Sequence, residues 1–288
     1  KAIRRQRQMC IRDRLSALKL RLSWGQTGQQ DVGSDYPSIA TYMLNTDASQ
    51  YIFGNTVIAP IKPQGYNEDL KWETTTTYNA GLDYGFLNGR IYGSIDYYYR
   101  KTTDLLNWTP VAAGSNLTNY LNANIGTLVN QGVEFDINAV AIQNKDWYWN
   151  IGFNVAYNKN KVTKMTTNDS PEYTGVGTGD ISGGTGNKIQ RFMFGYPVNT
   201  FYVYQQIYDE AGNPIEGAYV DRNKDGKVDE KDMYYCKKAA PDVTFGFNTQ
   251  LSWKNLTLSV SAHANLGNWV YNNVKSNGEL LSDLYTNN

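Results

Sequence analysis

"YNAGLDYGFLNGRIYGSIDYYYRK" (Tyr78–Lys101) alternates, turns, and alternates again. Leu82, Tyr84 and Phe86 fall on one face of an extended chain, with Gly81, Asp83 and Gly85 on the other. After Leu87-Asn88-Gly89 the alternation resumes: Ile91, Gly93, Ile95, Tyr97 and Tyr99 oppose Arg90, Tyr92, Ser94, Asp96, Tyr98 and Arg100. Period-two alternation about an Asn-Gly pair predicts a β-hairpin. Each arm runs to roughly 11 residues, where strands of soluble domains commonly have about 5–6. The apolar face of so long a hairpin meets either a protein core or lipid, and the rest of the chain decides between them.

The same alternation predicts seven strands. The first spans about Ala17–Gly25, with Leu18, Leu20, Leu22 and Trp24 opposed to Lys19, Arg21 and Ser23. The second begins near Lys71 and forms the hairpin with the third. The fourth, about Gly132–Ile142, sets Val133, Phe135, Ile137 and Ala139 against Glu134, Asp136 and Asn138. The fifth, about Trp147–Lys159, sets Trp149, Ile151, Phe153, Val155 and Tyr157 against Asn150, Gly152, Asn154 and Asn158. Val243–Trp253 and Leu256–Leu266 form a last hairpin, with Phe245, Phe247, Leu251, Leu256, Leu258 and Val260 on its apolar face. Short turns then alternate with long connections that leave from Gln26, Thr102 and Asn160, so every long connection leaves from the same end. A membrane barrel has this asymmetry, with short periplasmic turns and long extracellular loops. Long structureless loops are uncommon in compact soluble domains.

Aromatic residues cluster at both strand ends: Phe86, Trp147, Trp149 and Trp253 near the short turns, and Trp24, Trp72, Tyr97, Tyr99 and Trp269 near the long connections. Two such belts flanking an apolar band mark the two membrane interfaces. The apolar face therefore looks outward, into lipid. Tyrosine is abundant, only 19% of residues are charged, and no run approaches the length of a membrane helix, which is silent on a barrel because only alternate residues of its strands meet lipid. Cys10 and Cys236 have no partner motif, so neither a disulfide nor a zinc site is expected. Residues 1–14, "KAIRRQRQMCIRDR", carry six basic residues and one acid, with no apolar core and no cleavage site. They read as a non-native segment or a disordered basic tail; without them the formal charge is −5.

"YNEDLKWETTTTYNAGLDYGFLNGRIYGSIDYYYRKTTDLL" (Tyr66–Leu106) resembles a stretch of the SusC/RagA family of TonB-dependent outer-membrane transporters. "LKLRLSWGQTG" (Leu18–Gly28), "NIGTLVNQGVEFDI" (Asn124–Ile137), "WNIGFNVAYNKNKVTKM" (Trp149–Met165) and "YVDRNKDGKVDEKDMYY" (Tyr219–Tyr235) resemble it too, in the family's order. The resemblance implies an all-β fold: an antiparallel transmembrane β-barrel fragment, residues 15–288, holding about seven meander strands of a 22-stranded barrel. It implies that the plug domain, the TonB-contacting segment and the closing strands lie outside this sequence. It also implies a location in the bacterial outer membrane.

"DRNKDGKVDEKD" (Asp221–Asp232) has the spacing of a calcium loop. Asp221, Asn223 and Asp225 stand at positions 1, 3 and 5, Gly226 makes the turn, Lys227 offers its carbonyl, Asp229 is at 9 and Asp232 at 12. The expected ligands for Ca²⁺ are thus Asp221, Asn223, Asp225, Lys227, Asp229 and Asp232, in a stabilising role in an extracellular loop. The shorter Asp232, where a glutamate is usual, weakens bidentate coordination, and an ion-free acidic turn is the plainer alternative. "GVGTGDISGGTGNK" (Gly175–Lys188) lacks the Gly-Lys-Ser/Thr of a phosphate loop and reads as a plain loop.

Catalysis finds little support. His263 is the single histidine, no Gly-x-Ser-x-Gly is present, and Asp83, Asp96, Glu134 and Asp136 read as a hydrated barrel wall. With no basic stripe, nucleic acid is not an expected partner. The resemblance implies a non-enzymatic importer of oligosaccharides or peptides, with TonB, a SusD-like surface lipoprotein and membrane lipid as partners. Tyr36, Tyr42, Trp108, Tyr120, Tyr173, Tyr202 and Tyr204 suit stacking on sugar rings, and equally packing against the lipoprotein or one another. The alternative is a soluble, calcium-bound, glycan-binding β-sandwich of adhesin or lectin type, whose inner faces also alternate.

Overall fold

A computed structural model describes residues 14–31, 37–44, 51–58, 60–112, 114–165, 173–181 and 187–274. Residues 1–13 of the basic tail, Cys10 among them, and Tyr36 lie outside the described residues. Seven long strands dominate: β1 (Leu15–Gln29), β2 (Glu73–Phe86), β3 (Ile91–Pro110), β4 (Tyr120–Gln143), β5 (Trp147–Lys164), β6 (Val243–Trp253) and β7 (Leu256–Leu266). They form one antiparallel sheet in sequence order. Among the described residues no helix is long and apolar enough to cross a membrane, a criterion that leaves strands untouched.

The register carries the two faces unbroken across the sheet. Leu20, Leu82, Ile95, Phe135, Val155, Phe245 and Ala264 lie in one row, each opposite the next. One residue along, Lys19, Asp83, Ser94, Asp136, Asn154, Gly246 and His263 form a polar row on the other face. A slip of one residue at any strand would exchange these rows. The β-branched Thr74–Thr77 run of β2 suits a pleated strand, and Thr75 and Thr102 add a hydroxyl pair across it at 2.8 Å.

Among the described residues no layer covers the apolar face. Leu18, Leu20, Leu22, Ile95, Val133, Phe153, Phe247 and Leu258 are all exposed. The buried apolar side chains (Ile125, Val162, Met165, Phe201 and Tyr202) lie toward the long-connection end or within the connection after β5. A sandwich buries its alternating face beneath a second sheet, and among the described residues none packs there, so the soluble β-sandwich is set aside. Trp147 and Trp253 stack at the short-turn end, with centroids 5.7 Å apart and planes at 27°. At the other end Trp24 is opposite Tyr78, whose ring meets Tyr99 at 6.4 Å.

The turns follow from their residues. Asn88 and Gly89 adopt φ of +57° and +81°, which Asn-Gly tolerates. In the β4–β5 turn Asn144 Oδ1 accepts from the N–H groups of Asp146 and Trp147 at 3.0 and 2.8 Å.

Two connections differ from expectation. The loop expected from Thr102 is mostly strand, since β3 and β4 pair out to Pro110 and Tyr120. The alternation fades there because both faces of the extension are polar or irregular, while backbone pairing continues. A bulge at Asp104 interrupts the ladder, and its stranded groups are met by Glu73 Oε1, which accepts from Leu106 N–H at 2.9 Å, and by Asn124 Nδ2, which donates to the Asp104 carbonyl at 2.7 Å. The connection after β5 builds a four-stranded sheet of its own from Val176–Asp180, Lys188–Phe192, Thr200–Val203 and Tyr234–Lys238. Gly175–Lys188, read from sequence as a plain loop, supplies one of these strands. It pairs with Lys188–Phe192, and Lys188 Nζ reaches Asp180 at 2.7 Å.

Candidate functional site

Three places gather polar or aromatic side chains. The first is the polar face at mid-height. Arg21 donates to Asp83 Oδ1 and Asp96 Oδ2, both at 2.8 Å. It bridges two strands because Gly81 between them has no side chain: a Cβ there would strike Asp96 and the Arg21 guanidinium. Asp96 is only 9% exposed, and its Oδ1 has no hydrogen-bond partner. Glycines elsewhere open similar gaps. Tyr84 crosses Gly93 to donate to the Asp136 carbonyl at 2.9 Å, and Tyr98 crosses Gly132 to Asn158 Oδ1 at 3.0 Å. The acidic residues that sequence reading placed on one wall do share this face, but the Arg21 bridge was not foreseen. Strand alternation assigns a face; it does not say which side chains meet across two strands.

The second place is a cleft of about 800 Å³ between the first long connection and the β3–β4 extension. Trp108 and Tyr120 stand on one side with ring planes 9° from parallel and centroids 6.3 Å apart. Thr41, Lys62, Gln64 and Asn67 stand on the other. The walls are tied together: Asn116 Nδ2 donates to the Tyr66 carbonyl at 2.9 Å and Asn67 Nδ2 to the Asn122 carbonyl at 3.1 Å. Asn124 both accepts from Lys71 N–H and donates to its carbonyl, each at 2.8 Å.

The loop aromatics separate into groups. Trp108 and Tyr120 line the cleft. Tyr202 is buried in the loop sheet, beneath Arg191 at 4.6 Å and beside Tyr235 at 4.8 Å. Tyr235 also stacks on Tyr196 at 4.2 Å and donates to the Thr174 carbonyl at 2.7 Å. Burial, and then its tyrosine neighbours, push the Tyr235 hydroxyl up to about 12. Tyr204 packs on Tyr219 at 5.2 Å. Tyr202 and Tyr235 thus hold the loop sheet together, while Tyr204, just past its strand Thr200–Val203, packs on the separate hairpin Gln206–Tyr208/Pro214–Tyr219.

The third place is the Asp221–Asp232 loop, next to that sheet. Asp221 accepts from the N–H groups of Lys224, Asp225 and Gly226 at 2.6, 3.3 and 2.8 Å, and Gly226 has φ +84°. Asn223 Oδ1 accepts from Asp225 N–H, and Asp225 Oδ1 from Lys227 N–H, both at 2.9 Å. Asp232 is fully buried and takes N–H donors from Arg222, Asn223 and Asp229 at 2.7, 3.2 and 2.9 Å. With Asp229 it forms a capping box on the short helix Glu230–Asp232. The Asp229 N–H foremost holds its carboxyl below the usual carboxylate range. Among the described residues no three His, Cys, Asp or Glu side chains are gathered as a bound ion would hold them. Sequence spacing thus located the loop, while the closing role of Asp232 emerges only in three dimensions.

Comparison with known proteins follows the same lines. Residues 13–273 match the family model described as TonB dependent receptor-like, beta-barrel. The chain is 48% identical over 277 residues to TonB-dependent receptor SusC of Bacteroides thetaiotaomicron, covering 95% of this chain and 28% of that protein. It is 29% identical over 277 residues to TonB-dependent receptor P3 of Formosa agariphila, covering 90% and 26% respectively. The solved structure of the RagAB peptide transporter superposes with a TM-score of 0.70 at 26% identity, over 91% of this chain and 28% of that one. The chain thus spans a little over a quarter of the length of the relatives it matches.

Proposed function

The chain belongs to the TonB dependent receptor-like β-barrel family of the outer membrane, and from that premise we propose that it forms barrel wall and outer loops of an importer. The cargo is an oligosaccharide or a peptide, TonB supplies the energy, and a SusD-like surface lipoprotein covers the mouth. The observation that carries this reading is the two-faced sheet, an uncovered apolar band backed by a polar wall with an internal ion pair. Strands of this kind satisfy every backbone group through their neighbours, which lipid requires. Cells carrying the full-length gene can be grown in turn on panels of neutral oligosaccharides and of peptides as sole nutrient. Removing the gene or TonB is expected to abolish growth on at least one of them. Unchanged growth across both panels would overturn the importer.

Calcium in the Asp221–Asp232 loop is part of the same proposal. Its support is the donor set: carboxylates of Asp221, Asp225 and Asp229, the Asn223 amide and the Lys227 carbonyl are hard oxygens on one curled segment. Asp232, the sixth expected ligand, closes the loop with both oxygens on backbone N–H groups, as Asp221 does at the other end, and each carboxylate keeps lone pairs for an ion. An ion would draw these donors together and relieve their mutual repulsion. Binding should be weak, with a dissociation constant of about 10⁻⁴–10⁻³ M, as in extracellular modules. In the full-length protein calcium is expected to slow proteolysis within this loop, and Asp225→Ala to remove that protection while the barrel stays folded. Equal cleavage in calcium and in chelator would leave only an acidic turn.

A further inference from the structure

The outward, apolar face of the sheet is charged at one end only. Its uppermost row is Gln26, Thr76, Lys101, Val129 and Lys161. From the short turns up to that row, the outward positions of the seven strands hold three charged residues, Lys101, Lys159 and Lys161, and all three are exposed. The rows beneath are graded. Trp24, Tyr78, Tyr99, Gln131 and Lys159 form the next, followed by Leu22, Ala80, Tyr97, Val133, Tyr157 and Val243, and then by the apolar row through Ile95. Lys101 and Lys161 flank Val129, about 10 Å apart at the usual strand spacing. Among the described residues none of the three lysines forms an ion pair, so no acid there offsets their like charges.

Strand geometry sets the height of these charges. Lys101 lies beyond Ile95 by about 20 Å of extended strand, which the usual barrel tilt converts to about 15 Å along the membrane normal. An apolar band about 25 Å tall ends about 12 Å from its middle, so the Lys101 and Lys161 ammonium groups stand at the level of lipid head groups. Lys159, one row lower, reaches the same level by extending its stem upward. Below them the outward face is grooved. Leu22, Trp24, Tyr78, Ala80 and Tyr97 line about 490 Å³, a gap left because Ala80 is small where its row neighbours Leu22 and Tyr97 are large. Leu22 and Trp24 are 73% and 65% exposed there, and on a lipid-facing surface the occupant of such a groove is a hydrocarbon chain. A general tendency of lysine to sit at interfaces would place cations at both ends. The short-turn end of the same face instead holds Phe86, Trp147 and Trp253 at its outward strand positions, without a lysine.

We propose that Lys101, Lys159 and Lys161 bind the phosphate of an acylated lipid in the outer leaflet, with one of its chains in the groove at Ala80. Each ammonium offers three donors to the phosphate oxygens. The site needs the apolar face to meet lipid but does not need import, so a barrel that takes up no nutrient would leave it standing. In the test, the full-length protein is freed of lipid in detergent and titrated with lipid A bearing one phosphate, and with the same lipid A after that phosphate is removed. Native mass spectrometry counts the bound lipid. The phosphorylated form should bind about tenfold or more tightly than the other. Lys101→Gln, Lys159→Gln and Lys161→Gln combined should erase that preference. Lys19→Gln, Lys145→Gln and Lys254→Gln combined remove as much charge from the inward face and the short turns, and should keep it. Ala80→Phe fills the groove and should weaken both lipids by about threefold or more. Inorganic phosphate at millimolar concentration should not displace the lipid, because it brings no chain. All the substituted side chains are exposed or face inward water, and unchanged heat-modifiable migration of the barrel verifies that the variants fold. Equal binding of the two lipids by the unmutated protein would overturn the proposal. So would a preference that survives loss of the three lysines, an equal loss in the control variant, an Ala80→Phe variant that binds unchanged, or displacement by inorganic phosphate.

Discussion

Arginine at Ile95 or Phe153 of the full-length protein is expected to destabilise the barrel by about 2–4 kcal/mol, the cost of a cation on the lipid face near the bilayer midplane. Ile95 and Phe153 are 42% and 36% exposed on the uncovered face, in adjacent apolar rows. Arginine at Ser94 or Asn154, their immediate neighbours in sequence, should cost little. Ser94 stands between Asp83 and Asp136, and Asn154 is opposite Asp136, so a cation there meets carboxylates and water. Reversible urea unfolding of the refolded protein in lipid vesicles measures all four variants. Equal losses on both faces would refute the assignment of lipid to the apolar one.

The second large effect concerns Gly93. A Cβ at this position would strike the main-chain carbonyl oxygen of Asp136 and come within 2.8 Å of the Tyr84 hydroxyl. The first is backbone held in the β3–β4 ladder, and the second is held by its hydrogen bond to the same carbonyl. Neither can move without breaking a bond, so Gly93→Ala is expected to destabilise by about 1–3 kcal/mol, as overpacking does. Gly25→Ala is the control: nothing lies within 4 Å of its Cβ. That variant should be neutral or slightly stabilising, by up to about 1 kcal/mol, through the stiffer unfolded chain. If the two alanines behaved alike, the close approach of Tyr84 over Gly93 would not exist in the folded barrel.

The relation between sequence and structure differs from element to element. The hairpin at Tyr78–Lys101 was legible in full, because lipid on one side and water on the other impose alternation on every residue of a strand. The same reading stopped near Arg100 and resumed near Gly132, whereas β3 and β4 remain paired to Pro110 and Tyr120. Past the apolar band that contrast ends. The loop sheet escaped notice for a related reason. Its strands run only four or five residues, too short to establish a period, and its core of Phe201, Tyr202 and Tyr235 is assembled from distant segments.

Sequence by itself determined the seven strands, their order, the face each residue takes, and the position of the acidic loop. All of these depend on local rules: period two, turn chemistry and the spacing of oxygen-bearing side chains along one segment. Tertiary structure alone decided that Arg21 joins Asp83 to Asp96 across a glycine gap, and that Trp108 and Tyr120 face Thr41 and Gln64 across a cleft. It alone decided that Asp232 closes its loop through backbone N–H groups. Each of these joins groups that the chain brings together only by folding. Which side chain reaches which partner depends on register, on where a missing side chain leaves room, and on a connection returning to pack against a hairpin. No local period encodes these.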